Sequence, residues 1–102
     1  MAYLTKRYYT TVAIKYRLIQ DRSMNDDRKF KKQLQILAQN LKRIRDDRGF
    51  TQEDMMNFGF ERRYYQRLES GDVNPTLFTI FRLAQSLGVE PWSLLKRPRI
   101  KK

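Results

Sequence analysis

The sequence contains no cysteine and no histidine. The absence of cysteine excludes disulfides and thiolate zinc sites. The absence of histidine removes the commonest general base and the commonest metal ligand. Aspartate and glutamate are present, but most fall at predicted helix ends, where capping and the helix dipole explain them. We therefore expect no metal and no cofactor, and we do not expect an enzyme.

Long apolar runs are also missing. No stretch approaches the roughly 18 residues that are needed to span a bilayer. The start of the chain shows no signal-peptide pattern. A cytoplasmic protein is therefore expected.

Acidic residues are scarce, because 22 Lys and Arg stand against 11 Asp and Glu and give a net charge of +11 over 102 residues. The length suits one domain with a modest core. The excess of positive charge favours a polyanionic partner, either nucleic acid or an anionic membrane surface. The membrane is the weaker choice because the basic C-terminal tail lacks apolar anchors.

Glycine is limited to four positions. Three of them follow periodic apolar segments and are predicted to end helices in the left-handed conformation: Gly49, Gly71 and Gly88. Gly59 is predicted to lie inside a tight turn. The spacing of these four glycines therefore predicts a chain of short helical segments.

The first predicted helix begins at Asp26 or Asp27 and ends at Arg48. Its apolar residues recur at steps of four, three, four and three, which places them on one helix face: Phe30, Leu34, Leu37, Leu41 and Ile44. The second helix begins at Thr51, and Asp54 completes an acidic variant of the capping box.

The remaining predicted helices complete a five-helix, all-α domain over residues 24–96. The third runs from Glu61 to Ser70, the fourth begins at Thr76, and the fifth begins near Glu90. The side chains expected inward from helices two to five are Met55 or Met56, Phe58, Tyr65, Leu68, Leu77, Ile80, Leu83, Ala84, Leu87, Trp92 and Leu95.

Residues 1–23 form a predicted N-terminal extension, and residues 97–102 a basic tail. Apolar and polar residues alternate from Tyr8 to Leu18, which suits a strand paired with its own copy across a dimer axis. A helix with Leu4, Tyr8, Val12, Tyr16 and Ile19 inward also fits, and so does an extension without order ahead of Met24. The extension is a candidate for dimerisation or for binding a protein partner.

The segment from Gly49 to Pro75 predicts two short helices around a glycine-centred turn. The second of these carries basic and amide side chains on its predicted exposed side: Arg62, Arg63, Gln66 and Arg67. Arginine pairs with guanine acceptors, and glutamine pairs with adenine through two hydrogen bonds. The segment therefore indicates recognition of double-stranded DNA.

The pattern resembles the lambda-repressor-like helix-turn-helix family, of the Xre or Cro type, from about Leu37 to Leu95. The matching pieces are LKRIRDDRGFTQEDM and YYQRLESGDVNPTLFTIFRLAQSLGVEPWSLL. The chain departs from the family in having one residue fewer between Gln52 and Gly59. A methionine, 55 or 56, also stands where the family usually has a small alanine, so the angle between the second and third helices can differ.

The resemblance implies a set of DNA contacts. It makes the third helix the recognition helix, with Arg63 on guanine, and assigns base or phosphate contacts to Gln52, Glu61, Arg62, Arg67, Tyr64, Gln66, Asn74 and Thr76. It also implies a structural pair between Arg45 and Glu69. Each contact has a plainer alternative: a surface polar residue for Gln52, a cap for Glu61, solvated charge for the arginines, and turn chemistry for Asn74 and Thr76.

The charge distribution qualifies this interpretation. Residues 49–75 carry three basic and five acidic groups, so the segment predicted to recognise DNA is net acidic. The attraction for DNA should therefore come from the basic flanks, namely Lys42, Arg43, residues 1–23, Lys96, Arg97, Arg99, Lys101 and Lys102.

Taken together, these features predict a nucleoid-associated transcriptional regulator that represses from an inverted-repeat operator as a homodimer. Two alternatives stay open. One is the antitoxin of a toxin–antitoxin pair, in which residues 1–23 bind the toxin. The other is a protein-interaction module that keeps the fold without reading bases.

Overall fold

The computed structural model describes residues 23–98 as four α-helices and one 3-10 helix, without a strand in that range. The helices are α1 (Ser23–Asp47), α2 (Gln52–Asn57), α3 (Arg62–Glu69) and α4 (Leu77–Leu87), followed by the 3-10 helix (Pro91–Leu94). The chain divides into one unit of residues 1–30 and a second of residues 31–102. None of the described helices combines the length and apolarity needed to cross a membrane.

The predicted all-α class is confirmed for the described residues, but the fifth predicted helix is a single 3-10 turn. Pro91 at the first position suits a helix start, but Glu90 provides no side-chain cap to stabilise it. The alternatives for residues 8–18 lie outside the described part of the chain. Helix α1 begins three residues earlier than Asp26, which lies in its first turn.

Side-chain caps fix where three helices begin. At α2, Thr51 Oγ1 accepts a hydrogen bond from Asp54 N (3.1 Å), and Asp54 Oδ2 accepts one from Thr51 N (2.8 Å), which confirms the predicted capping box. Glu61 caps α3 and Thr76 caps α4 through their side-chain oxygens alone, without the reciprocal bond of the capping box. Each cap satisfies backbone donors that the helix itself leaves without partners.

The core of residues 31–98 is one hydrophobic cluster to which every helix of this unit contributes. Tyr65 and Leu68 are buried as predicted, and they pack in one cluster with side chains from every other helix of this unit: Leu37, Leu41, Ile44, Met55, Phe60, Ile80, Leu83, Ala84, Leu87 and Leu94. Of the two methionines, Met55 is fully buried and Met56 is only partly so. Met55 is therefore the methionine of this pair that faces the core.

Several side chains predicted to be inward are exposed. Phe30 in the first unit is exposed, and Leu77 opens α4 a turn before Ile80, the first buried residue of that helix. Phe58 is the exposed cap residue at the end of α2, where it packs edge-on against Phe50 at 5.6 Å. Phe60 is buried instead, because the turn at Gly59 changes the direction of the chain before this residue.

The 3-10 helix also differs from prediction. Leu94 is fully buried, whereas Trp92 and Leu95 are exposed. A 3-10 helix has three residues per turn, so in a turn this short only one of these apolar side chains faces the core.

Asn40 connects α1 to the end of the described chain. Its side chain is fully buried, and Nδ2 donates to Leu94 O (2.9 Å) and to Lys96 O (2.7 Å). Its Oδ1 accepts from Arg43 Nη2 at 3.1 Å. Both amide hydrogens and the carbonyl therefore have partners, which a buried amide needs. Asn40 fixes residues 94–96 against α1.

Replacing Asn40 with alanine should lower the free energy of unfolding by about 2–3 kcal/mol, because it leaves carbonyls without donors and opens a small cavity. Urea unfolding followed by circular dichroism measures the change. The matched control is Gln39→Ala at the exposed neighbouring position, for which we expect a change within about 0.5 kcal/mol. Equal stability of the two variants would contradict the role given to Asn40.

Candidate nucleic-acid interface

Helix α3 presents one apolar and one polar face. Tyr65 and Leu68 point into the core, whereas Arg62, Arg63, Gln66 and Arg67 are exposed and Tyr64 is half-buried. The turn before it depends on Gly59, whose φ of 95° is unfavourable for residues with a side chain. The exposed face of α3 is thus a basic surface, and the opposite face of the helix packs against the core.

An ion pair joins α3 to α1. Arg45 Nε lies 2.7 Å from Glu69 Oε2, and Arg45 Nη2 lies 3.0 Å from Glu69 Oε1. The remaining guanidinium nitrogen donates to Phe50 O at 2.8 Å. Both side chains of the pair are less than a tenth exposed. A two-point fork of this kind fixes the orientation of both side chains as well as their distance.

The pKa values follow from this geometry. The hydrogen bond to Glu69 raises the pKa of Arg45, although burial opposes the increase. Burial alone would raise the pKa of Glu69, but hydrogen bonding, above all from Arg45, outweighs it and the pKa is lowered. Both groups therefore stay charged over the physiological pH range.

Gln52 is attached to the same ion pair. Its Nε2 donates to Glu69 Oε1 at 3.2 Å. An ionised carboxylate only accepts hydrogen bonds, so the amide nitrogen of Gln52 must face Glu69, and one of its two hydrogens remains available. Gln52 is the first residue of α2, beside the backbone amides at that helix start. The position suits a phosphate oxygen.

The three arginines of α3 differ in their partners. Arg62 forms an ion pair with Glu53 on α2. Arg67 donates to Asp72 O at 3.1 Å and lies 3.6 Å from Asp72 Oδ2. Arg63 has no side-chain hydrogen bond or ion pair within residues 26–98.

The acid at the start of α3 is already engaged. The Glu61 carboxylate accepts from Arg63 N (3.1 Å) and from Tyr64 N (2.9 Å), so it acts as a cap in this structure. Asn74 is exposed in the loop before α4. Thr76 caps that helix through Thr79 N at 3.2 Å.

Lys42 and Arg43 are exposed on α1. Arg43 is two residues from Arg45, which is about 200° around an α-helix. Arg43 therefore points away from the side of α1 that contacts α3, and the structure does not bring it together with the exposed arginines of α3.

Sequence analysis missed Arg82, which supports the turn before α3. Its guanidinium lies 4.7 Å from the centre of the Phe60 ring, and Nη2 lies 3.5 Å from Gly59 O. Such a cation–π contact needs two residues from distant segments. A lone arginine in the α4 sequence gives no signal of it.

Comparison with known proteins agrees with this architecture. Residues 41–91 match the family model described as helix-turn-helix. The chain is 42% identical over 55 residues to the uncharacterized HTH-type transcriptional regulator y4dJ of Sinorhizobium fredii. The matched region covers 53% of this chain and 71% of that protein. It is 36% identical over 62 residues to YonR, an SPbeta prophage-derived uncharacterized HTH-type transcriptional regulator of Bacillus subtilis, with 60% of this chain and 57% of that protein covered.

A solved structure shares the fold. The crystal structure of the hypothetical transcription factor NHTF from Neisseria matches with a TM-score of 0.62 and 31% sequence identity, over 65% of this chain and 77% of that chain. The family match, the relatives and the shared fold point to a regulator rather than an enzyme. The chain belongs to the lambda-repressor-like, or Xre-type, helix-turn-helix family of DNA-binding transcriptional regulators.

Proposed function

We propose that this protein is a sequence-specific repressor whose recognition helix is α3 and whose DNA-binding domain spans residues 24–96. The observation that carries the proposal is the exposed basic face of α3, with Arg63 unpaired among the described residues, on a helix fixed to α1 by the Arg45–Glu69 pair. A fixed helix with a free guanidinium can distinguish bases, because base recognition requires defined positions in the major groove.

The same arrangement supports distinct roles for the other predicted residues. Arg63 takes the guanine contact. Gln52 at the start of α2 and Asn74 and Thr76 before α4 take phosphates, which position the helix without reading sequence. Arg62 and Arg67 join the interface by exchanging their carboxylate partners for DNA. Tyr64 and Gln66 extend the contacts on either side, and Glu61 mainly keeps α3 capped.

One recognition helix contacts only a few base pairs, so we propose that two copies bind an inverted repeat one DNA turn apart. Exposed apolar side chains are candidates for the dimer interface. Among the apolar residues at the 3-10 helix, Leu94 is fully buried, whereas 56% of Trp92 and 37% of Leu95 are exposed and available for such an interface. Occupation of the repeat would then block transcription from an overlapping promoter.

Replacement of Arg63 by alanine should weaken binding to the preferred duplex by roughly 1–3 kcal/mol and relax the choice at one base pair. The preferred duplex is first obtained by selection from random DNA, and affinities for it and for a scrambled duplex are measured by fluorescence anisotropy. Arg62→Ala is the matched comparison on the same helix, with a smaller expected loss because Arg62 must first leave Glu53. A wild-type ratio of cognate to scrambled affinity in Arg63→Ala would show that the assignment is wrong.

Removal of residues 97–102 should weaken binding to every duplex and reduce the dependence of affinity on salt. The segment contains Arg97, Arg99, Lys101 and Lys102. For each phosphate that the truncated protein no longer neutralises, the log–log salt slope should fall by about 0.9. Anisotropy titrations between low and physiological salt test this prediction. A second variant keeps the length of the tail but replaces its four basic residues with glutamine. An unchanged slope in both variants would rule out a contribution of the tail.

Replacement of Trp92 by serine should dissociate the dimer if the 3-10 helix forms its interface. Sedimentation velocity over a range of concentrations reports the change. Phe81→Ser is the matched control, because Phe81 is a similarly exposed aromatic residue, at 51%, on α4. Loss of the dimer in Phe81→Ser and its retention in Trp92→Ser would place the interface on α4 instead.

A further inference from the structure

A basic groove lies between the end of α1 and the segment after the 3-10 helix. Its volume is about 800 Å³. Four basic residues line it, namely Arg43, Arg48, Lys96 and Arg97, against one acidic residue, Asp47. The groove combines residues that are far apart in sequence, so no linear motif indicates it.

Two of the three guanidinium groups that line the groove are held in place by neighbouring polar groups. Arg43 Nη2 donates to Oδ1 of the buried Asn40 at 3.1 Å. Arg48 Nη2 donates to the carbonyl of Gly88, the residue that ends α4, at 3.3 Å. Each guanidinium has five N–H donors, so most of them remain free to bind a ligand. Asn40 also holds the backbone at Lys96, which keeps that side of the groove against α1.

The single acid of the groove does not neutralise this charge. Asp47 Oδ2 lies 3.9 Å from Arg43 Nη1, and both side chains are about half exposed or more. An exposed pair at that distance contributes little. The groove therefore keeps a net charge of about +3 from the four basic side chains and one acid that line it.

The position of the groove separates it from the recognition helix. Arg43 and Asp47 are each two residues from Arg45, about 200° around the α1 axis, and Arg45 is the residue that contacts α3. A duplex bound in front of α3 thus lies toward the other side of α1. The groove also has apolar surface from Ile44, Val89 and Pro98.

We propose that this groove is a second anion site that binds a phosphorylated ligand. Arginine forks match phosphate oxygens, and the apolar surface suits the sugar or base attached to them. The phosphates can belong to a free nucleotide or to the backbone of a nucleic acid. The proposal does not depend on base reading by α3.

Tripolyphosphate is the first probe, measured by isothermal titration calorimetry against the full chain at near-physiological salt, followed by ATP. Arg48→Gln should weaken binding roughly tenfold, because it removes a charged donor. Asp47→Asn should strengthen binding about threefold by removing the acid of the groove, and a gain of this kind cannot arise from misfolding. Circular dichroism and thermal unfolding check both variants.

The control is Lys31→Gln, which removes the same charge from an exposed position of α1 outside the groove. Its affinity should stay within about twofold of the wild type, because a distant exposed charge is largely screened. Equal losses of tripolyphosphate affinity in Lys31→Gln and Arg48→Gln would overturn the proposal and leave only diffuse attraction by the net charge. Absence of tripolyphosphate binding by the wild type would also overturn it.

Repeating the titration with protein saturated by its selected duplex distinguishes the two sources of phosphate. Continued binding of tripolyphosphate supports a free phosphorylated ligand, and its exclusion by the duplex supports backbone phosphates. Arg63→Ala should bind tripolyphosphate as the wild type does. The experiments therefore distinguish a loss of phosphate binding in the groove from a loss of base recognition by α3.

Discussion

The ion pair between Arg45 and Glu69 is the constraint on which the candidate DNA interface depends. It is almost fully buried, it fixes α3 to α1, and through Gln52 it also orients the first side chain of α2. Removing one partner of a buried pair destabilises a protein by about 3–5 kcal/mol, because the other charge is left without compensation. The geometry of two predicted DNA-contacting elements is thus controlled by a single carboxylate.

The acidic balance of residues 49–75 has a structural explanation. Glu69 pairs with Arg45, Glu53 with Arg62, and Asp72 with Arg67. The remaining two acids, Asp54 and Glu61, cap the helices α2 and α3. All five acids therefore have local partners, and Arg63 is left as the cation of this segment without one among the described residues. The net count of charges understates how basic the exposed face of α3 is.

Sequence patterns predicted the features that depend on neighbouring residues, such as the capping box at Thr51 and the buried face of α3. The family resemblance supplied the ion pair between α1 and α3, which periodicity alone does not reveal. The errors occur where tertiary packing selects among similar side chains. Only the turn geometry decides that Phe60 is buried and Phe58 is not, and the 3-10 turn buries Leu94 because its period differs from that of the expected helix. Asn40 gave no signal, because its partners are backbone carbonyls more than fifty residues away.

The different partners of the α3 arginines have a consequence for specificity. Arg62 and Arg67 are paired with carboxylates, so in the proposed complex each would exchange that partner for DNA, and part of the new interaction would replace an old one. Exposed pairs are weak, and salt weakens them and phosphate contacts alike. Arg63 has no such partner among the described residues, so the base contact proposed for it would contribute more fully to discrimination. In the proposed complex, Arg62 and Arg67 are therefore better suited to adding stability, and Arg63 to distinguishing bases.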